Sequence, residues 1–225
     1  MSQPPRITAI KPSARHPDRA AIHVAGRAVA TLPTRLIADL GLQCDQPWTD
    51  SLARQVEQAS QVDQAMRRAI NRLNRRALSR RDLDRKLKQL DFDQPIREKV
   101  LDRLTELNYL DDRALGRALI RDIMLRKPAG PRLLRQKLFQ KGLDADLIDQ
   151  LIDETTQDTD AVDQCRQLAR TRLAGMSRLD TAARQRRLWG LLARRGYESD
   201  TINQAMQSLA REIHHGADPD DQTAD

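Results

Sequence analysis

The sequence predicts an all-α chain: an elongated array of three tandem three-helix repeats, preceded by a small N-terminal module that contains a β-hairpin. Three observations carry that prediction. Leu83, Leu87 and Leu90 recur at i, i+4 and i+7, the spacing of one helix face. The helix–turn–helix stretch from Ser79 to Asp112 that contains them returns 51 residues on and again a further 54 residues on. A period near 50 residues implies stacked helical units. Finally, hydrophobic residues make up 39% of the 225-residue chain and aromatic residues only 3%, while 32% are charged. Such a chain lacks the aromatic strands of a β-sandwich and the apolar content of a thick core, and it suits helix-on-helix packing.

Taken in order, residues 1–6 carry two prolines and are expected to be disordered. Apolar and polar residues then alternate, predicting strands at Ile7–Lys11, Arg19–Ala25 and Arg27–Leu32 with Gly26 in the hairpin turn. Such a ribbon is marginal alone and needs a helix to lean on; Thr34–Leu40, stopped by Gly41, is the candidate. Residues 1–50 are thus expected to form a separate module. Thr49, Asp50 or Ser51 supplies the N-cap of the helix that follows.

The first repeat, 51–107, opens with a stripe of Val62, Met66, Ile70, Leu73 and Ala77. Its second helix carries Leu83, Leu87 and Leu90, and Phe92 sits in the turn. Pro95 opens the third helix, where its missing N–H costs nothing, ahead of Ile96, Val100, Leu101 and Leu104. The second repeat, 108–156, starts at Asp111-Asp112, acidic residues suited to a helix N-terminus. It breaks at Pro128-Ala129-Gly130 and resumes with Leu134, Leu138, Leu143, Leu147, Leu151 and Ile152. In Lys141-Gly142-Leu143, Gly142 stands where a helix takes a left-handed residue past its end. The third repeat, 157–213, repeats this with Leu188, Leu192, Arg195-Gly196-Tyr197, Ile202, Met206 and Leu209, ending near Ile213. Residues 214–225 are polar and acidic and are expected to be disordered.

The net charge of +7 points to an anionic partner, nucleic acid or an acidic protein surface. Arg outnumbers Lys 32 to 7; bidentate recognition of phosphate or carboxylate explains that, and so does a GC-rich genome. Charge is unevenly placed. Ser60–Leu90 holds ten basic residues against three Asp, Asp144–Asp163 eight acidic residues and no basic one, and Gln164–Gly196 nine Arg against one Asp. Two basic blocks separated by an acidic one suggest two anionic contacts. Charge alone nominates Arg67, Arg68, Arg72, Arg75, Arg76 and Arg81 in the first block and Arg184, Arg186, Arg187, Arg194 and Arg195 in the last.

Catalytic chemistry is not legible. His16, His23 and His214-His215 have no HExxH spacing or Cys partner, so no metal is expected. Gly142 and Gly196 end helices and so cannot cradle a phosphate at a helix start. Asp111-Asp112 reads more simply as a cap than as a dyad. Trp189 and Tyr197 lie in or beside the third apolar stripe and read as core. Cys44 and Cys165, far apart, fit a reducing cytoplasm, and no apolar run reaches the length of a signal peptide or membrane span. No cofactor and no membrane contact are expected.

These residues resemble the RecX family, regulators of the RecA recombinase. The resemblance rests on Leu83 and Leu87, the turn Asn108-Tyr109-Leu110-Asp111-Asp112, Gly130 with Leu134 and Leu138, Lys141-Gly142-Leu143, and Arg195-Gly196-Tyr197. It spans about residues 60–212. The chain departs from the family pattern at Asp91, where Gly is frequent, and at Leu115-Gly116, where an aromatic-Ala pair is usual. The resemblance implies a monomeric, non-enzymatic inhibitor that lies in the groove of the RecA filament on single-stranded DNA. It would limit ATP hydrolysis, filament extension, strand exchange and co-protease activity. Two other readings stay open: a helix-turn-helix protein that binds DNA without the recombinase, and a helical scaffold for an unrelated protein. Against the former, the helix after Gly142, LDADLIDQLIDE, is acidic where a recognition helix should be basic.

Overall fold

The computed structural model describes residues 4–14, 16–157 and 160–210. The expected acidic tail, 214–225, and the end of the third repeat at Ile213 lie outside them. The chain divides into two compact units, residues 1–78 with 82–110, and residues 79–81 with 111–225.

In the first unit, strands β1 (Ile7–Pro12), β2 (Arg19–Val24) and β3 (Arg27–Pro33) form an antiparallel sheet in that order. Ala25 and Gly26 both take positive φ, 49° and 78°, as a two-residue hairpin turn requires. Residues 4–6, expected to be disordered, are tied down: the Pro5 carbonyl accepts the Trp48 N–H at 2.7 Å, and Arg6 bridges to Pro47. The sheet packs on α1 (Thr34–Asp39) and on the first half of α2 (Asp50–Leu73), where Leu52 and Val56 join Ile7, Ile22, Leu32 and Ile37 in one core. The Thr49 hydroxyl caps α2 by accepting the Leu52 N–H. Arg19, 6% exposed, donates to Asp63 of α2 at 2.7 Å and to the Thr31 carbonyl.

The second half of α2 packs with α3 (Arg80–Lys88) and α4 (Gln94–Glu106) around Leu83, Leu87, Val100 and Leu104. Ala65 and Ala69 of α2 are fully buried there, and the residues expected as the stripe, Val62, Met66, Ile70 and Leu73, flank them. Small residues let the helices approach where larger ones would hold them apart. Ala77 and Leu90 are not core: α2 ends at Leu73 and α3 at Lys88, so helical spacing no longer applies to them.

The second unit holds two further triplets. Helices α5 (Asp112–Arg126), α6 (Pro131–Gln140) and α7 (Ala145–Gln157) close on Leu134, Leu138, Leu143, Ile148 and Leu151. Gly116 of α5 sits under Leu151; a Cβ there would fall 2.4 Å from the Leu151 Cδ1, which accounts for the glycine. Helices α8 (Ala161–Leu173), α9 (Thr181–Arg194) and α10 (Ser199–Ser208) close on Cys165, Leu188, Leu192, Tyr197 and Ile202. A short 3-10 turn, Ala174–Met176, follows α8. In all three triplets the residue ending the second helix is left-handed: Asp91 at φ 61°, Gly142 at 79°, Gly196 at 82°. Asp tolerates that region better than most side chains, so Asp91 keeps the turn that its lack of a glycine put in question.

Candidate binding surface

Asp111-Asp112 caps two helices. The Asp111 carboxylate accepts the Ala114 N–H at the start of α5, and Asp112 accepts the Arg80 N–H at the start of α3, each within 3 Å (2.8 and 2.9 Å). Burial raises the Asp112 pKa against the opposing pull of Arg80. Asn108 is left-handed at the end of α4; Leu110 is buried and Tyr109 exposed. The Lys141 carbonyl accepts the Ser79 hydroxyl at 2.6 Å.

Gly130 and Gly196 meet backbone to backbone. The Gly130 N–H donates to the Arg195 carbonyl at 2.9 Å and the Arg132 N–H to the Gly196 carbonyl at 3.1 Å. A Cβ on Gly130 would lie 2.4 Å from the Gly196 oxygen, and one on Gly196 would lie 2.2 Å from the Leu133 nitrogen. This seam joins the second repeat to the third. Tyr197 beside it is buried, its pKa pushed up to about 12 by that burial, and its hydroxyl has no hydrogen-bond partner among the described residues.

The eleven nominated arginines divide three ways. Arg184 and Arg195 are spent on backbone carbonyls, Arg184 buried and Arg195 half-buried. Arg184 is 1% exposed, and its guanidinium donates to the Met176 carbonyl at 3.0 Å and the Ser177 carbonyl at 2.7 Å, holding the turn after α8. Arg195 reaches across the seam to the Pro128 carbonyl at 2.8 Å and to that of Lys127. Arg184 stands on the apolar stripe of α9, at i−4 of Leu188, so the helix turns it inward; Arg195 is the residue that caps the end of α9. Arg67 is tethered to Asp63 at 3.3 Å, and the Arg81 guanidinium lies 6.0 Å from the centre of the Phe139 ring. Arg68, Arg75 and Arg76 on and after α2, and Arg186, Arg187 and Arg194 on α9, are exposed and make no ion pair among the described residues. Arg72 is half-buried and likewise unpaired there.

Part of the acidic block is paired locally. Glu154 of α7 pairs with Arg113 and, at 3.0 Å, with Arg117; Asp149 pairs with Arg135 at 2.9 Å. The Arg117 hydrogen bond, with help from Arg113, holds the Glu154 carboxyl below its ordinary range. Among the described residues no group of three His, Cys, Asp or Glu is placed to hold a metal ion, and no helix is long and apolar enough to cross a membrane. Trp189, expected in the core, is 43% exposed on α9.

Three-helix units repeated in tandem, each with its second helix closed by a left-handed residue, define a class of tandem three-helix repeat protein. Family models described as the first, second and third three-helix domains of RecX match residues 65–104, 111–152 and 158–206. The chain belongs to the RecX family. It is 35% identical over 150 residues to the regulatory protein RecX of Prosthecochloris aestuarii, covering 67% of this chain and 96% of that one. It is 32% identical over 157 residues to that of Pelodictyon phaeoclathratiforme, covering 70% and 94%. A crystal structure of a regulatory protein RecX superposes with a TM-score of 0.76 at 20% identity, covering 90% of this chain and 99% of the other. A RecX from Lactobacillus salivarius gives 0.62 at 21% identity, covering 68% and 99%.

Proposed function

We propose that this chain is a non-enzymatic modulator of the RecA recombinase, acting as a cytoplasmic monomer. It binds in the groove of the RecA filament on single-stranded DNA and limits ATP hydrolysis, filament extension, strand exchange and co-protease activity. The observation that carries the reading is the set of exposed arginines in each unit that make no ion pair among the described residues: Arg68, Arg75 and Arg76 in the first, Arg186, Arg187 and Arg194 in the second. Exposed guanidinium groups without carboxylate partners are the donors that acidic protein surface or phosphate would engage. The relatives' description as regulatory proteins supports the same reading. The test is DNA-dependent ATP hydrolysis by the recombinase with this protein added below one copy per recombinase. Strong inhibition supports the proposal; unchanged hydrolysis up to equimolar protein removes it.

Binding of bare DNA is the second reading. One observation favours it: the exposed Trp189 ring shares a groove with Arg186, which makes no ion pair among the described residues.

A further inference from the structure

The same position in each repeat, one residue after the first buried leucine of the second helix, has three different occupants. After Leu83 it is Asp84, paired with Arg97 of α4 at 2.7 Å; after Leu134 it is Arg135, paired with Asp149 of α7 at 2.9 Å. After Leu188 it is Trp189. The counterpart of Asp149, 54 residues on, is Asn203. In the third repeat, then, the ion pair that ties the second helix to the third is replaced by an indole and an amide.

The second repeat has a groove of about 360 Å³ at the same place, and its ion pair, Arg135 with Asp149, lines it; in the third repeat the groove is larger and an indole takes the place of that pair. A groove of about 490 Å³ runs between α9 and α10, lined by Gln185, Arg186, Trp189, Asn203, Met206 and Gln207. That volume falls in the range of small-ligand sites, roughly 300–1,000 Å³. Among the described residues no carboxylate lines it. Arg186 has no ion pair among the described residues, and Arg187 beside it has none either.

We infer that this groove seats an unpaired base of single-stranded nucleic acid. The exposed indole offers a flat face for stacking, which every base accepts. The amides of Gln185, Asn203 and Gln207 carry donors and acceptors together and so match any base edge. Arg186 lines the groove, where the phosphate next to a stacked base must be neutralised. A duplex keeps its base faces stacked on one another and cannot use the indole. An apolar peptide side chain would use the indole but bring no anion to Arg186. The inference rests on the second reading, binding of bare DNA, and deepens it by naming the site and the strand form; it requires no recombinase.

The test uses the full chain and a fluorescent oligothymidylate. In a Trp48→Phe background, saturating oligonucleotide quenches the remaining tryptophan. Trp189→Ala weakens binding by roughly 5- to 150-fold, the range for loss of one stacking partner. Trp189→Phe restores most of that affinity. Arg186→Gln lowers the slope of log affinity on log salt by about 0.7, one phosphate contact on a single strand. Because Trp189 is exposed, helical circular dichroism stays unchanged in each variant, and affinity for a duplex of equal length is the same for wild type and Trp189→Ala.

Unaltered oligothymidylate affinity in Trp189→Ala overturns the inference. So does tryptophan emission that ignores bound oligonucleotide, the result expected if the chain beyond Ala210 fills the groove. Recombinase ATP hydrolysis, measured in parallel, separates the two readings. If wild type inhibits and Trp189→Ala keeps its oligonucleotide affinity, the base site fails alone; loss of inhibition in that variant then assigns the groove to acidic recombinase surface instead. If wild type does not inhibit but Trp189→Ala loses oligonucleotide, the base site stands and the regulator reading fails.

Discussion

The second and third repeats are built on one plan and spend their charge in opposite ways. The second ties its helices together on the outside, with Arg113 and Arg117 on Glu154 and Arg135 on Asp149. The third spends Arg184 and Arg195 on backbone carbonyls and leaves Arg186, Arg187 and Arg194 unpaired among the described residues. A block rich in arginine is therefore not one feature. The helical phase of each residue decides whether it caps a turn, closes a seam or faces the solvent.

Substitutions along the seam and on either repeat break or sharpen that contrast. The largest effect is expected from Gly130→Ala. Gly130 has φ near −77°, which any residue adopts, so a loss reports only the contact with Gly196. About 3 kcal/mol of stability should go in urea denaturation; a loss under about 1 kcal/mol would mean that the two repeats part easily. Next comes Arg184→Met, which leaves the Met176 and Ser177 carbonyls without their donor. It should cost about 2 kcal/mol, whereas Arg186→Ala, two residues along, should stay within about 0.5 kcal/mol. Equal losses at both sites would erase the distinction between inward and outward arginine.

Smaller effects follow on the outer face. Arg135→Ala removes an exposed pair and should cost only about 0.5 kcal/mol in the same denaturation. Tyr197→Phe removes a buried hydroxyl that has no partner among the described residues, so stability should hold or rise slightly; a loss above about 1 kcal/mol would reveal one. The least effect is electrostatic. Arg117 depresses the Glu154 pKa, so their attraction is present above the unfolded carboxyl pKa and is lost as pH falls through the lower folded value. Arg117→Gln should raise the Glu154 titration midpoint followed by carbon-detected NMR.

Much of this was readable from the sequence. Leucine spacing places the second helix of each triplet, and Gly142 and Gly196 mark where two of them end, because few other residues take positive φ. Alternation placed the three strands within a residue or two. Other features needed coordinates. The sheet leans on α2 as well as α1, since Leu52 and Val56 belong to a helix of 24 residues that serves two cores. Ala65 and Ala69 carry no hydrophobic signal of their own, yet they are where α2 is most deeply buried.

The candidate surface was legible only in part. Spacing from Leu188 already put Arg184 on the inner face, but counting charge by block hides phase. Trp189 follows a buried leucine directly, and adjacent helical residues point about 100° apart. Its exposure becomes informative once Asp84 and Arg135 are seen bonded at the same point of the other repeats.

The paired glycines have a geometric consequence. Two backbone hydrogen bonds, from Gly130 to Arg195 and from Arg132 to Gly196, run with no side chain between the strands of chain that make them. Such a clasp fits at one setting only: sliding the third repeat by a single residue breaks both bonds at once and drives a side chain into the gap. The spacing between the Glu154 cluster and the exposed indole is thereby held as fixed as the teeth of a rule, whatever the surfaces on either side come to bind.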